Sequence, residues 1–278
     1  MTMAVSASHP SSGLLDLFVE PWRHRALVRR LIHREIESRY RGSLLGILWA
    51  LLTPLLTLAV FTFVFSVVFQ ARWGTSTGGK GEFALIMFAG LIVFTAFSEA
   101  LVRSPGLILE NSSYVKKVVF PLEVLPWVMV LSSLFQVAIS LVILAVFYLA
   151  VFGLPPLTIL LIPLVWVPLI LFSLGVGLLL SALGVYLRDL RSVMPVVSQL
   201  LMFLTPLFYP AEALPETYRK LLHINPLTGI VENTRTVLFA GTAPDWTMLG
   251  IQTLAGLVFA LLGLRLFRYL RTGFADIV

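Results

Sequence analysis

Long apolar runs, repeated along the chain, constrain the fold more than any other feature of the sequence. A helix that crosses a bilayer needs about 20 mostly apolar residues. Apolar runs lie near 44–70, 83–102, 124–152, 157–184, 193–209 and 247–267. Only 12% of the 278 residues are charged, whereas a soluble domain carries about 25%. The sequence therefore predicts an all-α integral membrane protein with six transmembrane helices, the fifth of which is short.

The distribution of Lys and Arg predicts the orientation of these spans. Fifteen of the twenty cations lie before the first span, in the second-to-third and fourth-to-fifth connections, or after the sixth span, and five lie in the alternate connections. Cytoplasmic segments are enriched in Lys and Arg, so both termini are predicted to be cytoplasmic. The net charge of +6 is thereby explained by topology, and no nucleic-acid partner is expected. The first twenty residues contain no apolar run of signal-peptide length, so the first span is expected to act as its own anchor.

The chain divides into a cytoplasmic N-terminal region, 1–43, and a six-span transmembrane domain, 44–278. Within the first region, 22–41 has the pattern of an amphipathic helix, with Arg23, Arg30, Arg34 and Arg41 on one stripe and Leu or Ile residues on much of the other side. Two partners fit such a helix: anionic lipid head groups or a cytoplasmic protein.

Two further segments do not span. The connection 104–121 has prolines near both ends and a piece between them that can form a short helix. It is longer than a tight turn requires, which indicates a presented element. The segment 211–246 contains short apolar runs that are broken by Asn225-Pro226 and ended by Gly241. This pattern predicts re-entrant half-helices on the external side, between the fifth and sixth spans.

Enzymatic chemistry finds little support in the sequence. The segment 74–80 (GTSTGGK) fits the start of a phosphate-binding Walker loop, but Gly81 stands where that loop needs Ser or Thr. There are no cysteines, and the four histidines show no metal-ligand spacing. Glu99 and Arg103 lie one turn apart, which favours an ion pair over a proton relay. The sequence thus indicates a transporter subunit or channel without its own energy-converting site.

Phenylalanines are frequent in the first two predicted spans, for example Phe61, Phe65 and Phe69 in the first and Phe88 and Phe97 in the second. Such rings commonly face lipid or pack between helices. The alternative is a channel lined by aromatic rings against which sugars stack, and the sequence does not separate the two.

Five segments in chain order resemble the permeases of type-2 ATP-binding-cassette exporters, and within them the branch that exports polysaccharides and teichoic acids. They begin with RYRGSLLG at 39–46, which leads into Leu48-Trp49-Ala50 and Pro54. The other four are 116–126 (KKVVFPLEVLP), 180–190 (LSALGVYLRDL), 205–210 (TPLFYP) and 225–228 (NPLT). Thr53, where the family pattern has Asn, and Tyr114, where it has an aliphatic residue, depart from it.

The resemblance implies a homodimer that pairs with two separately encoded cytoplasmic ATPase subunits in a bacterial cytoplasmic (inner) membrane. This chain would bind no cofactor, since ATP and Mg²⁺ would be held by the ATPase. The helix at 22–41 would become an interface helix beside the ATPase, and 111–117 a coupling helix. The expected ATPase-coupling contacts are Arg30, Arg34, Arg39, Asn111, Tyr114, Lys116, Lys117, Arg188 and Asp189.

The expected substrate is a lipid-linked glycan, such as an O-antigen, capsule or teichoic-acid precursor. Arg41 is assigned to the entrance for its diphosphate head group, because guanidinium groups bind phosphate well. The translocation path or outer gate is assigned to Phe65, Phe69, Phe97, Phe208, Tyr209, Asn225, Pro226 and Glu232. The alternatives are a drug or small-lipid exporter of the same superfamily and a membrane-embedded transferase.

Overall fold

The structure is a computed structural model that describes residues 14–69, 80–116, 120–210, 215–222 and 224–277. These residues contain helices and no strand. The α-helices, in chain order, are α1 (Leu14–Arg23), α2 (Arg25–Tyr40), α3 (Leu48–Phe61), α4 (Lys80–Arg103), α5 (Leu107–Glu110), α6 (Ser112–Val115), α7 (Val124–Val151), α8 (Ile162–Val165), α9 (Val167–Tyr186), α10 (Leu190–Leu204), α11 (Glu216–Leu222), α12 (Pro226–Arg235), α13 (Trp246–Arg271) and α14 (Phe274–Ile277). Two π-helical segments, Thr62–Val68 and Thr236–Ala240, prolong α3 and α12, and 3-10 turns precede α5 and α8.

Five helical stretches among the described residues are long and apolar enough to cross a membrane: Leu48–Phe65, Gly81–Glu110, Val124–Val151, Leu157–Tyr186 and Trp246–Arg271. They correspond to the first, second, third, fourth and sixth predicted spans. The predicted fifth span, 193–209, corresponds to α10, which has 15 residues and is therefore about 22 Å long. A bilayer core is about 30 Å thick, so α10 alone is too short to cross it.

The helix α4 forms the centre of the bundle. Of the 18 most apolar consecutive residues in Gly81–Glu110, 78% are buried, against 17% in Leu48–Phe65. It packs against α7, α9, α10 and α12, and side chains such as Met87 and Val93 are fully enclosed. Because α4 touches elements at both ends of the bundle, it connects the two groups of candidate site residues described below.

The most extensive helix pair is α9 with α13, and small residues allow the close approach. A Cβ added to Gly263 would lie 2.8 Å from the carbonyl oxygen of Gly175, and one added to Gly175 would lie 2.4 Å from the Phe259 ring. Van der Waals packing is the main force between helices in lipid, where the hydrophobic effect is weak. These glycines therefore hold the last span against the fourth.

The predicted helix 22–41 is wrong at its start. Trp22 and Arg23 belong to α1, and α2 begins at Arg25 after a break at His24. Pro21 has no N–H with which to bond the Leu17 carbonyl, and that oxygen accepts from the Trp127 indole N–H at 3.1 Å instead. The apolar side of α2, including the buried Val28 and Leu31, packs against protein, chiefly α7.

Gly184, near the end of α9, lies directly against the turn that follows α4. A Cβ at this position would come within 2.2 Å of the Pro105 carbonyl oxygen. We expect Gly184→Ala to lower the free energy of unfolding by about 1–3 kcal/mol, because the backbone of the turn must move. Thermal unfolding in detergent measures this. Gly250→Ala on α13, where nothing lies within 4 Å of the added Cβ, is the matched control and should be neutral or slightly stabilising.

Candidate functional site

A network of four charged side chains joins α2 to α4. Glu99 binds Arg103 at 2.8 Å and also accepts from Arg39, while Arg103 bonds Glu35 in turn. The predicted pair between Glu99 and Arg103 is therefore confirmed. Arg39, expected to contact an ATPase, has its guanidinium engaged with Glu99 on the neighbouring helix. Sequence spacing reveals the pair within α4, but Arg39 and Glu35 reach it only through tertiary packing.

Tyr114, on the short helix α6, is held between α2 and the segment that leads to α7. The Arg34 Nη1 donates to the Tyr114 hydroxyl at 2.5 Å, and its guanidinium lies 5.5 Å from the centre of the ring. The Phe120 ring stacks on Tyr114 with centroids 4.3 Å apart and an interplanar angle of 9°. The predicted coupling element is thus a short helix docked on α2.

The other residues predicted to couple to an ATPase lie around this docked helix. Asn111 follows the last residue of α5, and its Nδ2 donates to the Leu107 carbonyl one turn earlier at 2.9 Å. Arg30, Lys116, Arg188 and Asp189 are exposed. Lys117 lies outside the described residues. Arg191, at the start of α10, donates to the Gly106 carbonyl at 3.0 Å, so the start of α10 contacts the turn that precedes α5.

A second set of ion pairs at this end was missed from the sequence. Arg271 binds Glu123 at 2.8 and 2.9 Å and the Phe120 carbonyl at 3.2 Å. Arg268 binds Asp16 on α1 at 2.9 Å. These arginines were predicted only as contributors to the cytoplasmic charge excess. They attach the end of α13 to α1 and to the beginning of α7.

Three of the four phenylalanines assigned to the path or gate meet in one cluster at the other end of α4. The Phe65 ring lies 5.8 Å from Phe69, 5.6 Å from Phe83 and 5.7 Å from Phe208, and it is nearly parallel to the last of these. Phe97 is buried elsewhere, on the order of 20 Å further along α4 than Phe83. Tyr209 adjoins the cluster, and its hydroxyl donates to the Phe203 carbonyl at 3.1 Å.

The helices α11 and α12 fit the predicted half-helices: they are separated near Asn225-Pro226, and Gly241 ends the second with a positive φ of 65°. The Asn225 side chain accepts from the Leu227 N–H at 3.0 Å and donates to the Thr205 hydroxyl at 2.9 Å. Pro226 occupies the first helical position, where its missing N–H costs nothing. Glu232 is half-buried on α12.

Arg235, at the end of α12, was counted from the sequence as an external cation, yet only 8% of it is exposed. Its guanidinium donates to the carbonyls of Pro206 at 2.6 Å, Leu207 at 2.8 Å and Ile86 at 3.2 Å. It lies so close to α4 that a Cβ on Gly90 would be 2.8 Å from its Nη2. One side chain therefore binds α12, the broken end of α10 and α4 together.

A groove of about 370 Å³ lies between α3, α4 and α7. Arg39, Tyr40, Thr53, Thr95 and Gln136 are among the polar residues that line it. The Tyr40 hydroxyl donates to Gln136 at 2.8 Å. Burial raises the pKa of Tyr40, Arg39 opposes this and Glu99 adds to it, so the phenol stays protonated as a donor. Arg41 follows Tyr40 and is exposed.

Comparison with known proteins identifies one family along most of the chain. The family model described as ABC-2 type transporter matches residues 26–239. The O-antigen export system permease protein RfbA of Klebsiella pneumoniae is 26% identical over 199 residues, 71% of this chain and 76% of that protein. The polysialic acid transport protein KpsM of Escherichia coli is 27% identical over 188 residues, 67% and 73% of the two chains. RfbA of Myxococcus xanthus is 28% identical over 166 residues, 59% and 64% of the two chains.

Replacing Arg235 tests whether it holds the broken end of α10. We expect Arg235→Met to lower the free energy of unfolding by roughly 3 kcal/mol or more, since each buried carbonyl left without a donor costs about 1–3 kcal/mol. Thermal unfolding and limited proteolysis at 205–210 measure the effect. Arg265→Met, at an exposed position on α13, is the control. Equal stability of the two variants would contradict the role assigned to Arg235.

Replacing Glu99 tests the link between α2 and α4. Glu99→Gln should lower the free energy of unfolding by about 1–3 kcal/mol, because Arg39 loses its ion pair with Glu99 and Arg103 keeps only the one with Glu35. The control is Glu37→Gln at an exposed position on α2, whose carboxylate lies 3.1 Å from the His33 imidazole. Denaturation followed by intrinsic fluorescence compares the two, and a loss as large in the control would refute a special role for Glu99.

Proposed function

The chain belongs to the ABC-2 type transporter family, and we propose on that basis that it is the transmembrane permease subunit of an ATP-driven exporter that moves a lipid-linked polysaccharide across the cytoplasmic membrane. The observation that carries the proposal is the similarity, over about 70% of the chain, to permeases named for O-antigen and polysialic acid transport. The multi-span helical structure is the kind that such a subunit requires.

Permeases of this family work with a partner ATPase subunit, which holds ATP and Mg²⁺ in our proposal, so that this chain needs no cofactor. The surface proposed for this partner consists of α6 and the neighbouring exposed residues. Arg30, Lys116, Arg188 and Asp189 offer charges at its rim. The hydrogen bond between Arg34 and Tyr114 connects α6 to α2. A force applied to α6 would therefore reach α2 directly and α4 through Glu99.

The protein is a multi-pass inner-membrane protein, and we propose that both termini face the cytoplasm. The excess of Lys and Arg at the α2 end supports this orientation. In the proposed topology α10 and the segment that follows it make the fifth crossing together, with α11 and α12 returning on the external side. The hydrogen bonds of Asn225 to the Leu204 carbonyl and the Leu227 N–H, and of Arg235 to the Pro206 carbonyl, support that arrangement, because they satisfy backbone groups that could not face lipid.

Two copies of the chain are proposed to enclose the path. The helices α3 and α10 both expose apolar side chains, among them Leu56, Val60, Leu200 and Phe203. They also expose polar ones, Thr53 and Gln199. Polar groups that face outwards from a membrane helix are costly in lipid and are found where a partner or a water-filled cavity covers them. A second copy that packs near these helices would cover the apolar side chains and would enclose a water-filled cavity for the polar ones.

The proposed substrate is a glycan on a diphosphate lipid. Arg41 is a guanidinium at the predicted cytoplasmic entrance that suits the phosphates, and the cluster of Phe65, Phe69 and Phe208 offers ring faces to sugars at the other end of the bundle. Stacking of this kind tolerates different sugars, so it supports the chemical class of the substrate and leaves the glycan undefined.

The function is tested with proteoliposomes that contain the chain with or without its cognate ATPase. We expect ATP hydrolysis and ATP-dependent transfer of a lipid-linked glycan only when both subunits are present. A small-lipid or drug exporter would transfer phospholipid or dye instead under the same conditions. Hydrolysis by the purified chain alone, or transfer without ATP, would refute the proposal.

The proposed ATPase surface is tested in the same vesicles by the charge reversal Lys116→Glu. Export and glycan-stimulated ATP hydrolysis should fall about tenfold or more, since like charges at an interface cost several kcal/mol, while membrane insertion is unchanged. Asp276→Lys on α14, which reverses an exposed charge outside this surface, is the control. Full export by the Lys116 variant would show that α6 does not couple.

A further inference from the structure

The short helix α1 presents a stripe of exposed apolar side chains that the transport function does not use. Phe18 is 45% exposed, Val19 49% and Trp22 73%. Phe18 and Trp22 are one turn apart and therefore on one face, with Val19 beside them. Contiguous apolar patches of this kind on a protein surface mark a contact with a membrane or another protein.

The opposite side of α1 is fixed to the bundle, so the exposed stripe has a defined direction. Leu17 is 2% exposed, and Asp16 pairs with Arg268 of α13. The Trp127 indole donates to the Leu17 carbonyl, and its ring meets Phe18 edge-on with centroids 5.8 Å apart. The helix thus lies across the beginning of α7 and the end of α13.

The exposed stripe of α13 indicates the depth at which α1 lies. Four outward residues in succession are apolar and at least 48% exposed: Ile251, Leu254, Val258 and Leu262. The next outward positions are Arg265 and Tyr269. Tyrosine and arginine are enriched where a spanning helix leaves the hydrocarbon for the head groups. Arg268, which holds Asp16, lies beside Tyr269, so α1 is at head-group depth.

Three of the charged residues beside the stripe are arginines, and the fourth is Glu20. Arg23, Arg25 and Arg29 are exposed, and the Arg25 guanidinium lies 6.0 Å from the centre of the Trp22 ring. The Glu20 carboxylate lies 3.5 Å from the His24 imidazole. An aromatic and apolar stripe bordered by arginines is the composition of a helix that lies in the plane of an anionic membrane surface.

We propose that α1 is an in-plane membrane anchor, with Phe18, Val19 and Trp22 inserted among the lipids and Arg23, Arg25 and Arg29 on anionic phosphates. The role is separate from that of α2, whose apolar side is covered by α7. It does not rest on the proposed transport function. The competing occupant is the partner ATPase, which would cover the same stripe with protein.

The chain has no cysteine, so a single spin label can be placed at will in the full-length protein. Val19→Cys reports the stripe, and His33→Cys reports a water-exposed position on α2, where the side chain is 76% exposed. Both variants are placed in nanodiscs of phosphatidylcholine and phosphatidylglycerol. We expect the label at 19 to collide more with oxygen, which partitions into lipid, than with a water-soluble nickel chelate, and the label at 33 to show the reverse. Equal behaviour of the two labels would overturn the proposal.

Two further arms identify what covers the stripe. Omitting phosphatidylglycerol should raise nickel accessibility at 19 only modestly, because the contacts of α1 with α7 and α13 hold it at the same depth in either lipid. Trp22→Ser in the Val19→Cys background should raise it as well. If the label at 19 is open to nickel in nanodiscs and becomes shielded from both reagents only when the cognate ATPase is added, the stripe is a protein interface and the proposal fails.

Discussion

A helix that ends at membrane depth leaves carbonyl groups that lipid cannot satisfy, and the half of this protein that contains α10 and α12 holds side chains that meet this constraint. The helix α10 stops at Leu204. In the segment that follows it, the carbonyls of Pro206 and Leu207 accept from Arg235. Asn225 donates to Thr205 and caps α12. The broken end of one helix is therefore stabilised by both ends of another, so α10 and α12 depend on each other, and the aromatic cluster around Phe208 depends on both.

The end of the bundle that contains α10 and α12 is connected to the proposed coupling face through α4. Arg235 also donates to the Ile86 carbonyl near the start of α4, and Glu99 near its end binds Arg39 of α2 and Arg103. The two attachment points are on the order of 20 Å apart along one helix. Most of α4 is buried in the bundle, so a displacement of it would also displace the helices packed against it. A displacement of α6 would thus pass through the contact of Tyr114 with Arg34, along α2 to Arg39 and Glu99, and along α4 to the proposed gate.

The sequence predicted the features that depend on uninterrupted apolar runs or on residues close together in the chain. The third predicted span, 124–152, agrees with α7 to within one residue, because nothing interrupts its apolar run. The pair of Glu99 and Arg103 follows from helical spacing, and the break at Asn225-Pro226 follows from backbone chemistry. The partners of Arg39 and Arg235 could not be predicted, since they lie 60 and up to 149 residues away in the chain. The residues before α2 contain no apolar run of signal-peptide length, and the shorter run at 14–19 was not interpreted as a helix, so α1 and the break at His24 were missed as well.

Arg235 also changes how the charge asymmetry is understood. Counting cations assumes that each is a solvated charge in a connecting segment, whereas Arg235 is buried among backbone carbonyls and is not a solvated charge of the poorer side. On the richer side, Arg39, Arg103, Arg268 and Arg271 are paired with Glu99, Glu35, Asp16 and Glu123 and hold helices together. The remaining exposed arginines separate by position. Those on α1 and the start of α2 border an apolar stripe and suit lipid, and Arg30 and Arg188, with Lys116, suit a protein partner.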